Sequence, residues 1–571
     1  MRLTKPRRKD LACVAIIIAI VTFEWCETTQ VFYGQKMLEP LSYVGDGLFT
    51  AACVAAGMRG DYLPFASKQF PSLGAPFIAS WNDFPTTEDF LPLIVGTLAR
   101  SIGVFGAINF CLYLACIFAG LSMFYVARRF HLNRAFATMS GAMYGFTMYL
   151  CCRGTHHFGL TFYWIFPFQI LTGAWLASRK GISFRSKKFV ITMVVGVITG
   201  CSVIYYSFFA MQLYALALLV RMGRPKRKQA LLVGLSLALV TAGSIFVMNA
   251  DTIFYVSSSG LNTTAVYRDA RDVELYALKP IAMLVPAGNH RWAFFRHLSD
   301  MANEQTLIQG EIPAPYFGVV QNLMLLGFVI TAARAIARRK LNLSVTWALT
   351  VAWLIIGHSV GSQNSLMGLA GLRLFRSVNR VSIVILAFVL LFGAWALPRL
   401  LRRFGPRVQW VVAMVLAVFG TFEPIPVTQN PAAILHNRRL YESDKRLVEE
   451  AEAQLPVGSA VFQLPAMDFP EVGAYAGVDG YGMFRPYFFA KHLRFSHGDV
   501  KGRPNATWKF GVAKLAPPEM MAELRSKGFS SIYINLAGYP GQEQAMIDAF
   551  VNSGARLLNK SIIGDSVFLV L

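Results

Sequence analysis

The chain has 571 residues, 55% of them hydrophobic and only 15% charged, against about a quarter charged in ordinary soluble domains. Its 54 basic and 31 acidic residues give a net charge of +23. The Lys and Arg sit in short links between apolar runs, with no helix-turn-helix, zinc or RNA-binding signature, so the charge argues for a multi-pass membrane protein and against a nucleic-acid partner.

Residues 2–9 are basic, and an apolar run follows from Leu11. The run ends in Phe23-Glu24-Trp25-Cys26-Glu27 without a small-x-small cleavage pattern, so it reads as a retained first span rather than a signal peptide. Hydropathy predicts spans at about 11–31, 103–127, 134–150, 160–177, 189–204, 206–221, 229–249, 315–333, 342–357, 381–397 and 408–422, eleven helices in all. Basic clusters occur at Arg128, Arg129 and Arg134, then at 179–188, 221–228, 334–340 and 399–407. With the N-terminus inside, every cluster falls on the cytoplasmic side, and an odd number of spans puts the tail outside. Eight cysteines are present, none beyond Cys201 and none in a Cys-x-x-Cys pattern, so a structural zinc site is not expected.

Two outer segments are long. The first, 32–102, contains Gly45-Asp46-Gly47, a short apolar stretch at 48–58, a Pro/Gly-rich piece at 70–77 and Trp81-Asn82-Asp83-Phe84-Pro85. The apolar stretch is too short to span and reads as a helix lying in the membrane interface. Thr87 is placed to cap a helix starting near Glu88. The second segment, about 250–314, holds Asp251, His290, Arg291 and Glu311. After Thr421 the composition changes, with a boundary at Glu423-Pro424-Ile425-Pro426. An amphipathic helix over 431–455, strands at 460–464, 531–536 and 566–571, and helices near 517–527 and 542–553 predict a small α/β domain. The expected architecture is therefore a membrane module over 1–425 and a soluble extracytoplasmic α/β domain over 426–571, large enough to bury a core of its own.

Four groups of residues could carry chemistry. Asp46, flanked by glycines after the first span, suits a general base that takes a proton from an attacking hydroxyl, or simply a turn that caps the following helix. Asp83, Glu88 and Asp89 could bind a divalent cation or position a sugar, with Trp81 beside Asp83 offering an aromatic face; Glu88 and Asp89 equally suit the N-terminus of a helix. Arg153, His156 and His157, at the outer end of the third span, could bind a lipid phosphate or be ordinary interfacial polar residues. Arg373, Arg376 and Arg380 lie on the outer side, against the positive-inside trend, where an anionic ligand or pairing with headgroups or acidic loop residues would account for them. A Walker loop and a Gly-x-Ser-x-Gly elbow are absent from the sequence, and the spans carry few acidic residues, which counts against ATP-driven or ion-coupled transport.

The stretches Gly45-Asp46-Gly47, 71–76 and 81–85, with the Arg373–Arg380 segment entering a span, make the chain resemble the GT-C class of membrane glycosyltransferases, in particular uncharacterised bacterial members. That resemblance implies a polyprenyl-phosphate sugar as donor, a cell-envelope glycan or lipid as acceptor, an inner-membrane location and inverting transfer. It also implies that Asp46 is the general base, with Arg376, Arg380, His156 and His157 available to the leaving lipid phosphate. The paired Asp-x-Asp or Glu-x-Asp common in the first loop of that class has no clear counterpart here, which leaves any divalent cation open. A lipid or glycan transporter and a non-catalytic membrane scaffold are the competing readings.

Overall fold

The computed structural model describes residues 8–84, 88–223, 225–305, 310–311, 313–339, 343–426 and 431–571. Its first half is helical: α1 (Arg8–Thr28), α2 (Asp46–Arg59), α3 (Phe90–Ile102), α4 (Val104–Arg129), α5 (Arg134–Gly145), α6 (Met148–Arg153), α7 (Phe166–Ala177), α8 (Lys187–Gly200), α9 (Ile204–Met222) and α10 (Arg227–Met248). Short helices α11 (Ala250–Ser259), α12 (Arg271–Leu275) and α13 (Ala293–Gln305) occupy the second long segment. The bundle resumes with α14 (Val319–Ala337), α15 (Leu343–His358), the short α16 (Gln363–Leu369), α17 (Ser382–Leu400) and α18 (Pro406–Phe422). Among the described residues seven helices are long and apolar enough to cross a membrane, from 9–28 to 378–400. Each of the eleven apolar runs coincides with helix, so the chain is a multi-pass membrane protein.

The run at 134–150 is not a single helix. Within 134–150 the chain leaves α5 at Phe146, which is extended (φ −137, ψ 116), and Thr147 restarts it as α6, its side chain accepting the Leu150 N–H. The cap satisfies a donor that would otherwise be stranded at the break. The first outer segment also holds more helix than its sequence announced. The stretch expected in the interface is α2, and it packs on α3 backbone to backbone. A Cβ at Gly57 would stand 2.1 Å from the Pro92 carbonyl oxygen, and one at Gly96 would stand 2.4 Å from the Gly57 carbonyl carbon. Only glycine allows that approach. The cap expected at Thr87 lies outside the described residues.

The C-terminal part opens with α19 (Pro431–Glu452) and forms a five-stranded sheet flanked by α20 (Pro504–Val512), α21 (Pro517–Ser526) and α22 (Glu543–Asn552). A two-stranded hairpin in the first outer segment supplies β1 (Gln69–Phe70) and β2 (Ala79–Ser80). The sheet proper uses β3 (Ala460–Leu464), β4 (Arg494–Phe495), β5 (Phe529–Asn535), β6 (Arg556–Lys560) and β7 (Ser566–Val570) in the order β4-β3-β5-β7-β6. Its centre is parallel, and β7 runs antiparallel to both neighbours.

Alternation along the strands splits the sheet's two faces. Phe462, Ile532, Ile534, Val567 and Leu569 pack with Met521, Leu524 and Phe550 in a core belonging to this part alone. Val461, Tyr533 and Phe568 face the other way and join the core of the membrane module. The boundary near 425 therefore follows the chain but not the packing. The first outer segment even extends the sheet: the Phe495 and Ala75 amides bond the Ser72 and Phe495 carbonyls, each at 2.9 Å.

Candidate functional site

Where the first outer segment, the second one and the C-terminal part converge on the helix bundle, they enclose a cavity of about 350 Å³. Asp46, Phe49, Thr50 and Cys53 of α2 form one wall, and His156 and His157 after α6 form the next. Tyr205 of α9, with Arg376 and Arg380 ahead of α17, closes the far side. Arg268, Glu88, Asp89, Glu471 and Tyr481 complete the lining.

Asp46 is the first residue of α2, and Gly45 before it takes φ 56, ψ −144, a conformation that side-chain-bearing residues avoid. The Gly45 N–H donates to Asp479 Oδ2 at 2.9 Å. Asp46 Oδ2 lies 3.7 Å from His157 Nδ1. Burial, followed by the Arg380 and Arg153 charges, pushes His157 down to about 4, so near neutral pH it is an uncharged imidazole and this contact is not an ion pair. Burial raises the Asp46 carboxyl; His156 opposes the rise, while Glu471 and Asp479 add to it. His156 is held from behind, its Nε2 2.9 Å from Ser42 Oγ.

The cationic wall is supported by acids. Arg376 Nη1 bonds Asp272 Oδ2 at 2.7 Å. Arg268 makes a two-pronged contact with Glu471. Arg380 stands 4.4 Å over the Tyr205 ring and 3.8 Å from Glu311 Oε1. Its buried Nε has no hydrogen-bond partner among the described residues. Glu311 also accepts from Arg153 Nη2 at 2.6 Å and from Asn379 Nδ2 at 2.9 Å. Burial alone would raise the Glu311 carboxyl, but Arg153 and Arg380 outweigh it and hold it at about 2.

Seven of the residues singled out from sequence meet in this cavity: Asp46, Glu88, Asp89, His156, His157, Arg376 and Arg380. Three do not. Arg153 is 3% exposed and reaches the site only through Glu311. Trp81 and Asp83 do not line the cavity and lie between the first long segment and the C-terminal part. The Trp81 ring is buried against Phe70 and Phe469, and its Nε1 donates to the Gly498 carbonyl at 2.9 Å. Asp83 gives both oxygens to Arg503, at 2.7 and 2.8 Å, and its Oδ2 also accepts from Asn262 Nδ2 at 3.1 Å. Asp89, although on the cavity wall, is buried and 3.0 Å from Lys68 Nζ, which also holds Asp251 at 2.7 Å. Among the described residues no group of three or more His, Cys, Asp or Glu could hold a metal ion. Sequence reasoning passed over Arg268, Tyr205, Glu471 and Tyr481, and gave Glu311 no role. Arg268 carried the same signal as Arg376, a cation on the outer side; Glu471 and Tyr481 carried none, being more than 400 residues from Asp46.

No protein-family model matches the sequence, and no curated protein does. Solved structures do resemble the fold. The arabinofuranosyltransferase AftD from Mycobacteria, as its R1389S mutant, superposes with a TM-score of 0.50 at 10% identity, over 100% of this chain and 42% of that one. The oligosaccharyltransferase of Archaeoglobus fulgidus gives 0.45 at 11% identity, over 96% and 73%. ArnT from Cupriavidus metallidurans gives 0.44 at 12%, over 98% of each chain. The fold of this chain is GT-C-like. The chain spans well under half the length of the arabinofuranosyltransferase.

Proposed function

We propose that the protein is a membrane glycosyltransferase that moves a sugar from a polyprenyl-phosphate donor to a glycan or lipid acceptor of a bacterial cell envelope. The site would face the extracytoplasmic side of the inner membrane, with the N-terminus in the cytoplasm. The observation that carries this reading is one cavity holding a half-exposed carboxylate, Asp46, beside an uncharged imidazole and sharing its lining with Arg376 and Arg380.

Asp46 accepts the proton of an acceptor hydroxyl as its oxygen attacks the anomeric carbon. Burial raises its pKa above the ordinary carboxylate value, which strengthens it as a base. The bond from that carbon to the phosphate oxygen breaks, and its electron pair stays on the phosphate. Arg376 and Arg380 stabilise the charge developing there, and the buried Arg380 Nε has a donor to give. Attack opposite the leaving phosphate in a single displacement inverts the anomeric centre. Glu88, which lines the cavity, would orient the acceptor.

The test uses purified protein in detergent and synthetic polyprenyl-phosphate pentoses and hexoses, with release of polyprenyl phosphate as the readout. Asp46→Asn should lower turnover by at least about a hundredfold, the scale expected for loss of a general base, with unchanged thermal stability. Full turnover in Asp46→Asn removes Asp46 as the base.

A further inference from the structure

We infer that Asp479, from the C-terminal part, is the positioning residue for Asp46: it fixes the start of α2 and so aims the carboxylate into the cavity. The inference rests on the glycosyltransferase reading of the site and adds a role for the C-terminal part.

The first turn of a helix leaves amides that need acceptors, and the residue before it normally supplies one from its side chain. Before α2 that residue is Gly45, which has no side chain and takes a backbone conformation that glycine adopts without strain. The turn therefore has no side-chain cap of its own. The acceptor comes from 434 residues away, the Asp479 carboxylate bonding the Gly45 N–H at 2.9 Å. That carboxylate is itself oriented, because its other oxygen accepts the Tyr481 N–H at 2.9 Å.

The same loop grips α2 a second time. The Tyr481 ring stacks on Phe49 at 5.4 Å and 28°, and Phe49 lies three residues beyond Asp46 on neighbouring helical surface. The Tyr481 hydroxyl accepts the Glu471 N–H at 3.2 Å, which ties the loop to the residue that pairs with Arg268. One loop thus sets the turn that carries Asp46 and supplies part of the cavity wall. A shift of that turn moves the base directly, and small misplacements of a reacting group are costly.

The charged and titratable groups facing Asp46 are His156 and His157 from the segment after α6, and Glu471, Asp479 and Tyr481 from the C-terminal loop. Asp479 therefore acts on Asp46 by geometry and by charge, and the two can be separated. Asp479→Ala removes both. It should lower kcat for release of polyprenyl phosphate from the synthetic donors by about tenfold or more, with donor KM moving less than about twofold. Asp479→Asn keeps an acceptor oxygen but no charge. It should lose less kcat than the alanine variant and move the acid limb of the kcat profile to lower pH by about half a unit, since one anion near the base is gone.

A readout that needs no turnover is alkylation of Asp46→Cys by iodoacetamide, followed by mass spectrometry of that peptide across pH. Adding Asp479→Asn should lower the midpoint of the thiol's reactivity by a similar half unit or so. Wild-type kcat and acid limb in both Asp479 variants, with an unmoved thiol midpoint, overturn the inference. An active Asp46→Asn would remove Asp46 as the base, and the thiol midpoint would still decide whether Asp479 acts on position 46.

Discussion

Glu311 is the carboxylate on which Arg380 of the cationic wall and the buried Arg153 depend, and its removal has a calculable cost. Arg153 Nη2 is 2.6 Å away and Arg380 Nη2 3.8 Å away. At an effective dielectric constant of about 20 those separations correspond to gross attractions of roughly 6 and 4 kcal/mol, most of which offsets the desolvation of the ions. The net loss on deleting one partner of a buried pair is about 3–5 kcal/mol, because the remaining charge is stranded. Arg153 is 3% exposed and cannot recover its hydration. Glu311→Ala should therefore lower the apparent Tm of the detergent-solubilised protein by about 3 °C or more, given the entropy of unfolding a chain of this size. Arg153→Met combined with Glu311→Met should lose less than either single change, since an apolar pair replaces the ions without stranding either.

The pH dependence has a definite sign. A carboxyl held down at about 2 in the fold, against an ordinary value of 4.5, contributes stability above that ordinary value and loses it only as the pH falls through about 2. The gap in Tm between wild type and Glu311→Ala should be constant from about pH 5 to 8. A gap within about 1 °C of zero, or one that closes by pH 5, refutes the argument.

Asp83→Ala should lower the Tm while leaving turnover per folded molecule near wild type, because Asp83 fastens Arg503 outside the cavity; lost turnover at full stability would return Asp83 to the substrate site. His157, pushed down to about 4 by burial, is neutral in the fold, while the unfolded chain takes a proton near 6.5. Its contribution is complete above 6.5 and lost as the pH falls from there toward 4, so His157→Asn should flatten the decline of Tm over that window, and an identical decline in both proteins would contradict it.

The membrane half was legible because the bilayer imposes long apolar runs, and each of the eleven runs coincides with helix. The break at Phe146 was not, because both sides of it are equally apolar. The α3 helix was missed because 13 residues fall short of a span, and its packing on α2 depends on a Gly57 and Gly96 contact that no local pattern reveals. In the C-terminal sheet the buried strands β3, β5 and β7 stood out as apolar runs. The two-residue β4 and the largely polar edge strand β6 did not.

At the site, Asp46 was legible from its glycines, and Arg376 and Arg380 from their position against the orientation rule. Trp81 and Asp83 looked like a sugar platform because an aromatic beside a carboxylate has that composition. What decides their role is Arg503 and Gly498, more than 400 residues away. Glu471, Asp479 and Tyr481 were invisible for the same reason: the fold, not the sequence spacing, brings that loop to α2.

The most direct measurement is a structure of the full chain determined with undecaprenyl phosphate. The account expects the phosphate in the cavity beside Asp46, within hydrogen-bonding distance of Arg376 and Arg380, with Arg380 Nε donating. A phosphate bound elsewhere on the protein, with those two arginines still held only by Asp272 and Glu311, would contradict it.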